Sequence, residues 1–413
     1  MVTRIDLREN GDPLPAQLDT ATAALLAEVK LVEVRPNGVG GGLLVPRTNR
    51  VGAARIGSID VVVKPKAPFS SLLFMLGYAH NTGLRPDMFD GSSQDDLWPM
   101  VAETLARLAE RALLHGVIQG YVTRDDSLAL VRGRIRTAEQ MSRRYALPLP
   151  LEVTYDEYDV DIAENQILRT ALERMRHVPR LPFSLRSRLQ HLSGRLGGAR
   201  AITQGAPIPV WRPTRLNTMY QPALQIAELV LRQLGLATAA ASQPVASFGV
   251  DMDKVFESFV TVALQESLLR ISPGVTTGQF QDHLDTGSQV PIRPDIVHSI
   301  TGVPTAVLDA KYKLGTDKDG YPTSDVYQML AYCTALQVNT GYLVYAGSKS
   351  KGAAPRTRAI RHTEVAVVMW PLDVGVEPRE LLDQVAAVGA TAVGAKRPVS
   401  LHSANIVQND HSH

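Results

Sequence analysis

The sequence predicts a mixed α/β protein, with a β-rich and helical amino-terminal region followed by a carboxy-terminal α/β domain. Residues 24–64 break into short apolar runs separated by Gly and Pro, and residues 161–235 keep apolar positions at helical spacing. After residue 244, helices and strands alternate, which is typical of a sheet covered by helices. The length of 413 residues and the hydrophobic content of 45% allow two or three domains with proper cores.

Composition excludes several classes of protein. The formal net charge is only +2, so any contact with nucleic acid must come from a local basic patch. The single cysteine, Cys333, excludes a disulfide framework and a cysteine-rich zinc site, and it fits a reducing compartment. The amino terminus lacks the apolar segment of a signal peptide, and no run of about 18 apolar residues is present. We therefore expect a cytoplasmic protein without a membrane span.

The amino-terminal half begins with predicted strands. We expect them in LLAEVKLVEVRP, GGLLVPRT and VGAARIGSIDVVVKPKA, of which the last alternates apolar and polar positions. Helical spacing follows in SSLLFMLGYAH and over residues 95–119, and a strand-like piece surrounds ALVRGRIRTAEQM. The glycine-rich segment NGVGGGLL lacks the Gly-Lys-Ser/Thr sequence of a phosphate-binding loop, so a nucleotide site is not predicted there.

The central part is predicted to be mostly helical over residues 161–235, with loops rich in Gly and Pro. The small and polar residues at 236–244 then suggest a linker. These changes in composition predict domains at 1–160, 161–243 and 244–398, followed by a flexible tail at 399–413.

The carboxy-terminal domain has a compact order of elements. Helix DMDKVFESFVTVALQESLL precedes a β-hairpin in which RPDIVHS and TAVLDAKYK flank ITGVP, and helix SDVYQMLAYCTAL and strands GYLVYAG and AVVMWPLDV follow. With Gly302 at the centre of the turn, Asp295 lies opposite Asp309, and a slip of one residue would undo this pairing. Asp309 and Lys311 are two positions apart on one strand, so their side chains share a face of the sheet.

This spacing gathers two carboxylates and one ammonium group in a small volume. Neighbouring carboxylates repel each other, and one would take up a proton unless a cation compensates them. A divalent cation with oxygen ligands, such as Mg²⁺, would remove the conflict and could act on a phosphate. Lys311 would then hold the attacking water or offset charge on the phosphate. The alternative is that Lys311 only forms a salt bridge with Asp309 or Asp295.

Two flanking helices supply further candidates. Glu257 lies at the edge of an apolar helix stripe. It is either a third carboxylate of the metal site, or it lies on a solvated helix face or pairs with a nearby arginine. Gln328 and Tyr332 are four positions apart and share a helix face. Gln328 either orders a phosphate or a water, or it has a capping or core role.

Arginines are concentrated in residues 165–215, which contain ten of them and one acidic residue, Glu173. Arginine binds phosphate with two parallel hydrogen bonds, so this region is a candidate surface for DNA. The alternative is that the arginines only cover solvated helix faces. Arg132, Arg134 and Arg136 in VRGRIRT leave a similar choice.

Several motifs, taken in order, resemble a known family. RPD and DAK resemble the metal-binding motif of the PD-(D/E)xK nuclease superfamily. The ordered set DMDKVFESFV, RPDIV, LDAKYK and DVYQMLAY, together with LLFMLGYA, LVRGRI and YDEYDVDIAENQILRTAL upstream, resembles the McrC family. That family supplies the nuclease subunits of McrBC-type restriction systems, which depend on 5-methylcytosine.

The resemblance implies a restriction-endonuclease-like α/β domain that cleaves DNA phosphodiester bonds with Mg²⁺, or with Mn²⁺ in its place. It implies catalytic roles for Asp295, Asp309, Lys311 and Gln328, and metal ligation by Asp295, Asp309 and Glu257. The implied partners are double-stranded, modified DNA and a hexameric AAA+ GTPase of the McrB type, which the amino-terminal region would bind and stimulate. Two alternatives stay open, namely a non-catalytic activator of the GTPase ring, or a nuclease that works with a different motor in defence or recombination.

Overall fold

The computed structural model describes residues 2–37, 41–80, 97–143, 149–238, 244–313, 322–347 and 354–394. The predicted tail at 399–413 lies outside these ranges. The chain divides into two compact units, the first from the described residues of Met1–Pro65 and Met88–Val250, the second from those of Lys66–Asp87 and Asp251–His413. Within the described ranges, no helix is long and apolar enough to cross a membrane.

Helices and strands are mixed along the whole described chain, which confirms the predicted mixed α/β class. The strands are β1 (Thr3–Arg8), β2 (Leu14–Ala16), β3 (Val32–Asn37), β4 (Gly41–Pro46), β5 (Arg50–Ile56), β6 (Ile59–Lys64), β7 (Gly120–Leu128), β8 (Arg134–Ile135), β9 (Leu151–Asp159), β10 (Leu234–Thr238), β11 (Pro244–Asp251), β12 (Val275–Gly278), β13 (Asp282–His283), β14 (Pro291–Ile292), β15 (Ile296–Ile300), β16 (Val303–Lys311), β17 (Thr340–Gly347), β18 (Arg356–Ala359) and β19 (Ala366–Asp373). The helices are α1 (Thr20–Val29), α2 (Phe69–His80), α3 (Leu97–Ala112), α4 (Thr137–Arg143), α5 (Ala163–Arg176), α6 (Phe183–Arg195), α7 (Gln221–Gln233), α8 (Met252–Ile271), α9 (Thr323–Leu336) and α10 (Pro378–Ala392).

The first unit combines sheets with a group of helices. Its largest sheet has the order β1-β6-β5-β11-β10, with β1 parallel to β6, and smaller sheets have the orders β2-β4-β3 and β7-β9-β8. Helix α1 packs on β3 and β5, in a core that includes Leu7, Leu26 and Val61. Helix α5 packs against α6 and α7, and α3 packs against all three. Burial of these apolar surfaces is the main force that holds the unit together.

One segment that the sequence predicts as strand is helical. LLAEV, the start of the first predicted strand, belongs to α1. Its Ala, Leu and Glu residues favour helix, and Asp19 caps the helix by accepting a hydrogen bond from the backbone N–H of Thr22 (2.7 Å). The helix ends at Lys30, which adopts the left-handed conformation with φ 57°. Capping and propensity therefore outweigh the short apolar run.

Other predicted boundaries differ from the structure. The helix predicted over residues 95–119 ends at Ala112, and only β8 is strand within the piece around ALVRGRIRTAEQM, since α4 follows it at once. The predicted linker at 236–244 begins as strand β10, where Leu236 pairs with Ala246, while residues 239–243 lie outside the described residues. Strands β7 and β9 carry polar residues at many exposed positions, so the apolar alternation that signals a strand is weak in them.

The second unit is built on a six-stranded sheet with the order β12-β15-β16-β17-β19-β18. Strands β16, β17 and β19 are parallel, and the others run antiparallel to their neighbours. Helix α9 covers one face of the sheet through a core that includes Met329, Leu343 and Met369. Side chains alternate between the two faces. Tyr342 therefore points to the opposite face, where its hydroxyl donates to the carbonyl of Thr391 in α10.

The helices and strands predicted for this unit are confirmed. The structure adds α10 and several short strands, which the sequence pattern does not predict. Helix α10 packs against α8, and α8 packs against α2 and β16. Helix α2 belongs to this unit although it lies far upstream in the sequence. The central parallel strands are thus covered on both faces, which explains their nearly continuous apolar sequences.

The hairpin β15–β16 has the predicted register at the positions next to Asp295 and Asp309. Thr301 (φ 52°) and Gly302 (φ 83°) form a two-residue turn, and their positive φ values match the twist of the hairpin strands. This turn pairs Ile300 with Val303, but a bulge between His298 and Ser299 shifts the register, so that Ile296 pairs with Leu308. The bulge therefore restores the pairing that brings Asp295 towards Asp309.

Candidate active site

Asp295 directly precedes β15 and is buried, with 8% of its surface exposed. Its Oδ2 accepts a hydrogen bond from the backbone N–H of Ala310 on β16 (2.8 Å), which ties it to the strand that carries Asp309. Burial raises the pKa of Asp295 to about 6, the Ala310 hydrogen bond opposes this shift, and the nearby Glu257 carboxylate adds to it. This carboxyl group is therefore held in a position where its negative charge is poorly compensated.

Asp309 lies on β16 and is more deeply buried, with 2% of its surface exposed. Burial, followed by the negative charge of Asp295, raises the pKa of Asp309 to about 6, while Lys311 opposes the shift. Its Oδ2 lies 2.5 Å from Nζ of Lys311, and because the pKa of Asp309 stays raised, this ion pair compensates only part of the negative charge of the two carboxyl groups.

Lys311 connects the carboxylates to helix α9. Its Nζ pairs with Asp309 and donates to Oε1 of Gln328 (2.9 Å). Nε2 of Gln328 donates in turn to the hydroxyl of Tyr332 (2.7 Å), which donates to the carbonyl of Arg293 (3.3 Å). Burial acts to lower the pKa of Lys311, but Asp309 and the neighbouring carboxylates outweigh it, and the pKa is raised. The ammonium group is therefore both charged and oriented.

Glu257 reaches the same site from α8. Its Oε1 accepts a hydrogen bond from Nε2 of Gln279, which also donates to Oδ1 of Asp295 (3.3 Å). Burial, followed by the negative charge of Asp309, raises the pKa of Glu257. Of its two alternatives, the structure favours the site over a solvated helix face, because Glu257 is linked through Gln279 to Asp295. All five predicted site residues are therefore brought together.

Two residues that sequence reasoning misses also belong to this arrangement. Gln279 bridges Glu257 and Asp295, and no local pattern marks it. Asp325 is buried at 4% exposure and accepts hydrogen bonds from Nζ of Lys313 (2.9 Å) and from the hydroxyl of Tyr345 (3.0 Å). Its position three residues before Gln328 in DVYQMLAY is the signal that could have identified it, because both residues lie on one helix face.

The donor set of this site consists of carboxylate oxygens, which are the ligands that Mg²⁺ prefers. No group of three or more His, Cys, Asp or Glu side chains in the described ranges is already arranged around a common metal position. The chemistry nevertheless fits Mg²⁺, since the site offers carboxylate oxygens and the pKa values of Asp295 and Asp309 are raised by burial and by neighbouring carboxylates. Ligation by Glu257 stays a prediction, because its oxygen contacts the Gln279 amide.

The arginines of residues 165–215 mostly serve the protein itself. Nη1 of Arg188 donates to both carboxylate oxygens of Glu103 (2.7 and 2.8 Å), and Nε of Arg200 donates to Asp161 (2.6 Å). Others donate to protein acceptors as well, namely Arg169, Arg174, Arg180, Arg186 and Arg195. Among the ten, Arg212 and Arg215 are the exposed pair for which the described residues provide no side-chain partner. The expected DNA surface is therefore largely occupied by internal contacts.

Two of the three VRGRIRT arginines, Arg132 and Arg136, have internal partners too. The guanidinium group of Arg132 stacks over the ring of Tyr155, 4.0 Å from its centroid, and pairs with Glu157. Arg136 pairs with the buried carboxylate of Glu152 (3.2 Å). These contacts support a structural role for Arg132 and Arg136 within the β7-β9-β8 sheet.

The fold and the site define a mixed α/β protein with clustered carboxylates and a lysine on neighbouring strands of a central sheet. Residues 45–346 match the sequence family described as McrBC 5-methylcytosine restriction system component, and the chain belongs to this family. A chain of the half-complex from the tetradecameric assembly of Thermococcus gammatolerans McrB AAA+ hexamers with bound McrC has the same fold. The TM-score is 0.60 at 18% identity, over 93% of this chain and 99% of that chain.

A second structure, the cryo-EM structure of the Thermococcus gammatolerans McrBC complex, matches at 18% identity with a TM-score of 0.43. The match covers 66% of this chain and 90% of that chain. Sequence comparison with curated proteins finds no significant match. The family assignment therefore rests on the sequence family, and the first structural match supports the fold.

Proposed function

We propose that this chain is the DNA endonuclease subunit of a modification-dependent restriction complex and that it uses Mg²⁺. The observation that carries the proposal is the pairing of two buried carboxylates, Asp295 and Asp309, with the oriented ammonium group of Lys311. Structural salt bridges seldom leave two buried carboxyl groups with pKa values raised to about 6, whereas catalytic sites commonly do. The family to which the chain belongs is consistent with this activity.

The residues have distinct roles in the proposal. Asp295 and Asp309 would hold the ion, with Glu257 as a supporting carboxylate, and Mn²⁺ is the alternative ion. When bound, the ion supplies Lewis-acid stabilisation of phosphate charge and lowers the pKa of a water. Lys311 directs its ammonium group towards the negative charge that develops on the phosphate or positions the attacking water. Gln328 fixes the direction of Lys311 through its Oε1.

We propose further that the chain binds and stimulates an AAA+ GTPase of the McrB type. The related assembly from Thermococcus gammatolerans contains McrB AAA+ hexamers with bound McrC, and its match covers 93% of this chain. In this arrangement double-stranded DNA, modified at cytosine, is the substrate, and the GTPase ring supplies the energy. The alternative is that the chain only activates the GTPase ring and does not cut DNA.

Replacement of Asp309 by Ala tests both candidates. The full chain is mixed with a McrB-type GTPase ring, GTP, Mg²⁺ and methylated DNA, and DNA cleavage and GTP turnover are measured together. We expect Asp309→Ala to reduce cleavage by roughly a thousandfold or more, because charge stabilisation at the phosphate is lost, while stimulated GTP turnover stays at the wild-type level.

The matched control is Asp383→Ala, which removes an exposed carboxylate from α10 on the far face of the sheet. This variant should cut at the wild-type rate. Normal cleavage by Asp309→Ala would refute the metal assignment. A wild-type chain that stimulates GTP turnover but never cuts DNA would support the activator instead. Asp295→Asn serves as a second variant if Asp309→Ala melts at a much lower temperature.

A further inference from the structure

Lys313 lies two positions beyond Lys311, just past the end of β16. The intervening Tyr312 is buried, and its ring contacts Phe256 of α8, with the ring centroids 5.9 Å apart. Because side chains of an extended chain alternate between the two faces of a sheet, Lys311 and Lys313 both project away from α8 and towards α9. Lys313 therefore continues the row of charged side chains that begins with Asp309 and Lys311.

Two contacts, side by side, join this row to helix α9. Nζ of Lys311 donates to Oε1 of Gln328 (2.9 Å). Nζ of Lys313 donates to both carboxylate oxygens of Asp325 (2.9 and 3.3 Å). Asp325 and Gln328 are three positions apart, so they lie on the same face of the helix. The ammonium group of Lys313 is thus held next to that of Lys311, at the carboxy-terminal end of β16.

The two partners of the ion pair between Lys313 and Asp325 differ in their exposure. The side chain of Asp325 is 6% exposed, whereas that of Lys313 is 48% exposed. Asp325 also accepts hydrogen bonds from the hydroxyls of Tyr345 (3.0 Å) and Ser324 (3.4 Å), so its carboxylate is held from several sides. The arrangement therefore fixes the direction of an ammonium group whose outer side is open to solvent.

Asp325 also belongs to the electrostatic environment of the site. Burial and then Asp295 are the main causes of the raised pKa of Asp309, and the negative charge of Asp325 adds to them. The site therefore holds several carboxylates in a small volume, and these repel the phosphates of an approaching DNA strand. A cation at the edge of the site offsets this repulsion, and Lys313 supplies such a cation in a fixed position.

We propose that Lys313, held by Asp325, binds a phosphate of the DNA backbone within about two nucleotides of the bond that is cut. Lys311 and Lys313 are two residues apart in an extended chain, which corresponds to about 7 Å. Phosphates of one strand advance about 3.4 Å along the duplex axis for each nucleotide. The proposal rests on the proposed nuclease function, because it names a substrate contact of that same site. A contact with a phosphate positions the duplex without selecting a sequence.

The alternative is that Lys313 and Asp325 form only a structural ion pair. Helix α8 offers a matched case, because Glu266 accepts hydrogen bonds from Arg270 and from the hydroxyl of Tyr78. A cation, a carboxylate and a tyrosine meet there as they do around Asp325. Arg270 lies in the last turn of α8 and Glu257 in its second turn, so the two are about 20 Å apart along the helix. Arg270 therefore serves as the control for Lys313.

The test measures how strongly the full chain binds a short fluorescein-labelled duplex at a series of salt concentrations, without divalent cation so that the DNA stays intact. We expect Lys313→Met to raise the dissociation constant about tenfold at moderate salt, because a hydrogen bond between charged groups is lost. The slope of log K against log salt should become shallower by about 0.9, equally for all sequences. Lys313→Arg keeps the charge and should keep most of the slope.

The control Arg270→Met removes one cation from the comparable group on α8 and should leave both the dissociation constant and the slope unchanged. Lys313→Met leaves a buried carboxylate without its cation, which lowers stability. The double variant Lys313→Met with Asp325→Asn avoids this and should show the same loss of slope. Thermal melts of all variants separate loss of binding from loss of fold.

DNA cleavage by the chain together with the GTPase ring, GTP and Mg²⁺ tests the role of Asp325. Lys313→Met should raise KM for DNA and leave kcat within about twofold, because uniform binding of the substrate is lost. Asp325→Asn should also raise KM, but it should have no further effect on KM in the Lys313→Met background, because its effect on substrate binding passes through Lys313.

Four results would overturn the proposal. If Lys313→Met binds DNA like the Arg270→Met control while the wild-type protein cuts DNA, the contact is wrong and the nuclease function stands. A lower melting temperature with an unchanged slope would show that the ion pair is only structural. A loss of kcat with an unchanged KM would assign Lys313 to the chemical step instead. If the wild-type chain neither binds nor cuts DNA, the contact and the proposed function both fail.

Discussion

Two regions of this protein that carry several arginines differ in the partners of their guanidinium groups. In the helical part of the first unit, guanidinium groups are bound to protein acceptors, as with Arg188 on Glu103 and Glu110, or Arg180 on Asp60. On β18 of the second unit, Arg356 and Arg358 have no such acceptor among the described residues. The number of arginines in a stretch of sequence therefore says little about the charge that a surface offers to DNA.

The reason lies in where the acidic partners come from. Arg180 and Asp60 are 120 residues apart in sequence, and Arg188 and Glu103 are 85 apart. Residues 165–215 look strongly basic only because their partners lie elsewhere in the chain. Internal ion pairs of this kind orient helices and neutralise charge, whereas an unpaired arginine remains available to a phosphate. The difference predicts that removal of an arginine with internal partners in the first unit lowers stability, whereas removal of an exposed arginine without them does not.

The largest effect on stability is expected from Arg55→Ala. The Arg55 side chain is 6% exposed, donates to the carbonyl of Pro179 (2.5 Å), pairs with Asp60 (3.4 Å) and lies over the ring of Trp98. Its removal should lower the free energy of unfolding by about 3 kcal/mol, because it leaves a largely buried carboxylate with one partner fewer. Chemical denaturation measures this loss.

Arg212→Ala is the control for Arg55→Ala. Arg212 is exposed, and its side chain has no partner within the described ranges. The free energy of unfolding should change by less than about 0.5 kcal/mol. Equal stability losses in the two variants would contradict the distinction between arginines that have internal partners and exposed arginines that have none in the described ranges.

The second prediction concerns the candidate active site of the second unit, whose contribution to stability should depend on Mg²⁺ and pH. Bound Mg²⁺ should stabilise the folded protein at pH 7 by about 2–3 kcal/mol at a concentration near a hundredfold above its dissociation constant. Protons compete with the cation for Asp295 and Asp309, whose pKa values are both raised to about 6. Stabilisation by Mg²⁺ should therefore fade as the pH falls below about 6, which thermal melts with and without Mg²⁺ will show.

In the metal-free protein, the contribution of these two carboxyl groups to stability should change with pH in the opposite direction. Because the folded state raises the pKa of both carboxyl groups above the ordinary value of 3.8, it binds their protons more tightly than the unfolded chain does. Their contribution to stability should therefore improve as the pH falls from 7 to 5. Asp309→Ala should show no shift in melting temperature with Mg²⁺ at any pH, and a shift equal to that of the wild type would contradict the assignment.

The smallest effect is expected from Arg188→Ala. The arginine is 33% exposed, and its partners Glu103 and Glu110 are exposed by 41% and 43%, so solvent screens both ion pairs. We expect a loss of about 1 kcal/mol in the free energy of unfolding and no change in the salt slope of DNA binding. A clearly weaker salt dependence of DNA binding in this variant would place DNA on the helical region after all.

Much of the second unit is predictable because its signals are local. The turn at Gly302, the two-residue spacing of Asp309 and Lys311, and the four-residue spacing of Gln328 and Tyr332 each depend on residues close in sequence. The structure confirms that Asp309 and Lys311 share a face of the sheet and that Gln328 and Tyr332 share a helix face, since the members of each pair are in contact. Helix α1 is less predictable, because it depends on the cap at its amino terminus. Strands β7 and β9 are also less predictable, because polar side-chain pairs hold them together.

The sequence by itself determined the mixed α/β class, the hairpin and the set of candidate site residues, because turn chemistry and side-chain periodicity act over a few residues. Only the tertiary structure decided which charged side chains have a partner among the described residues. It placed Gln279 between Glu257 and Asp295, and it supplied acidic partners for the helical arginines but none, within the described residues, for Arg356 and Arg358. These outcomes depend on segments that meet in space after folding, and electrostatic interactions act through distance in space rather than along the chain.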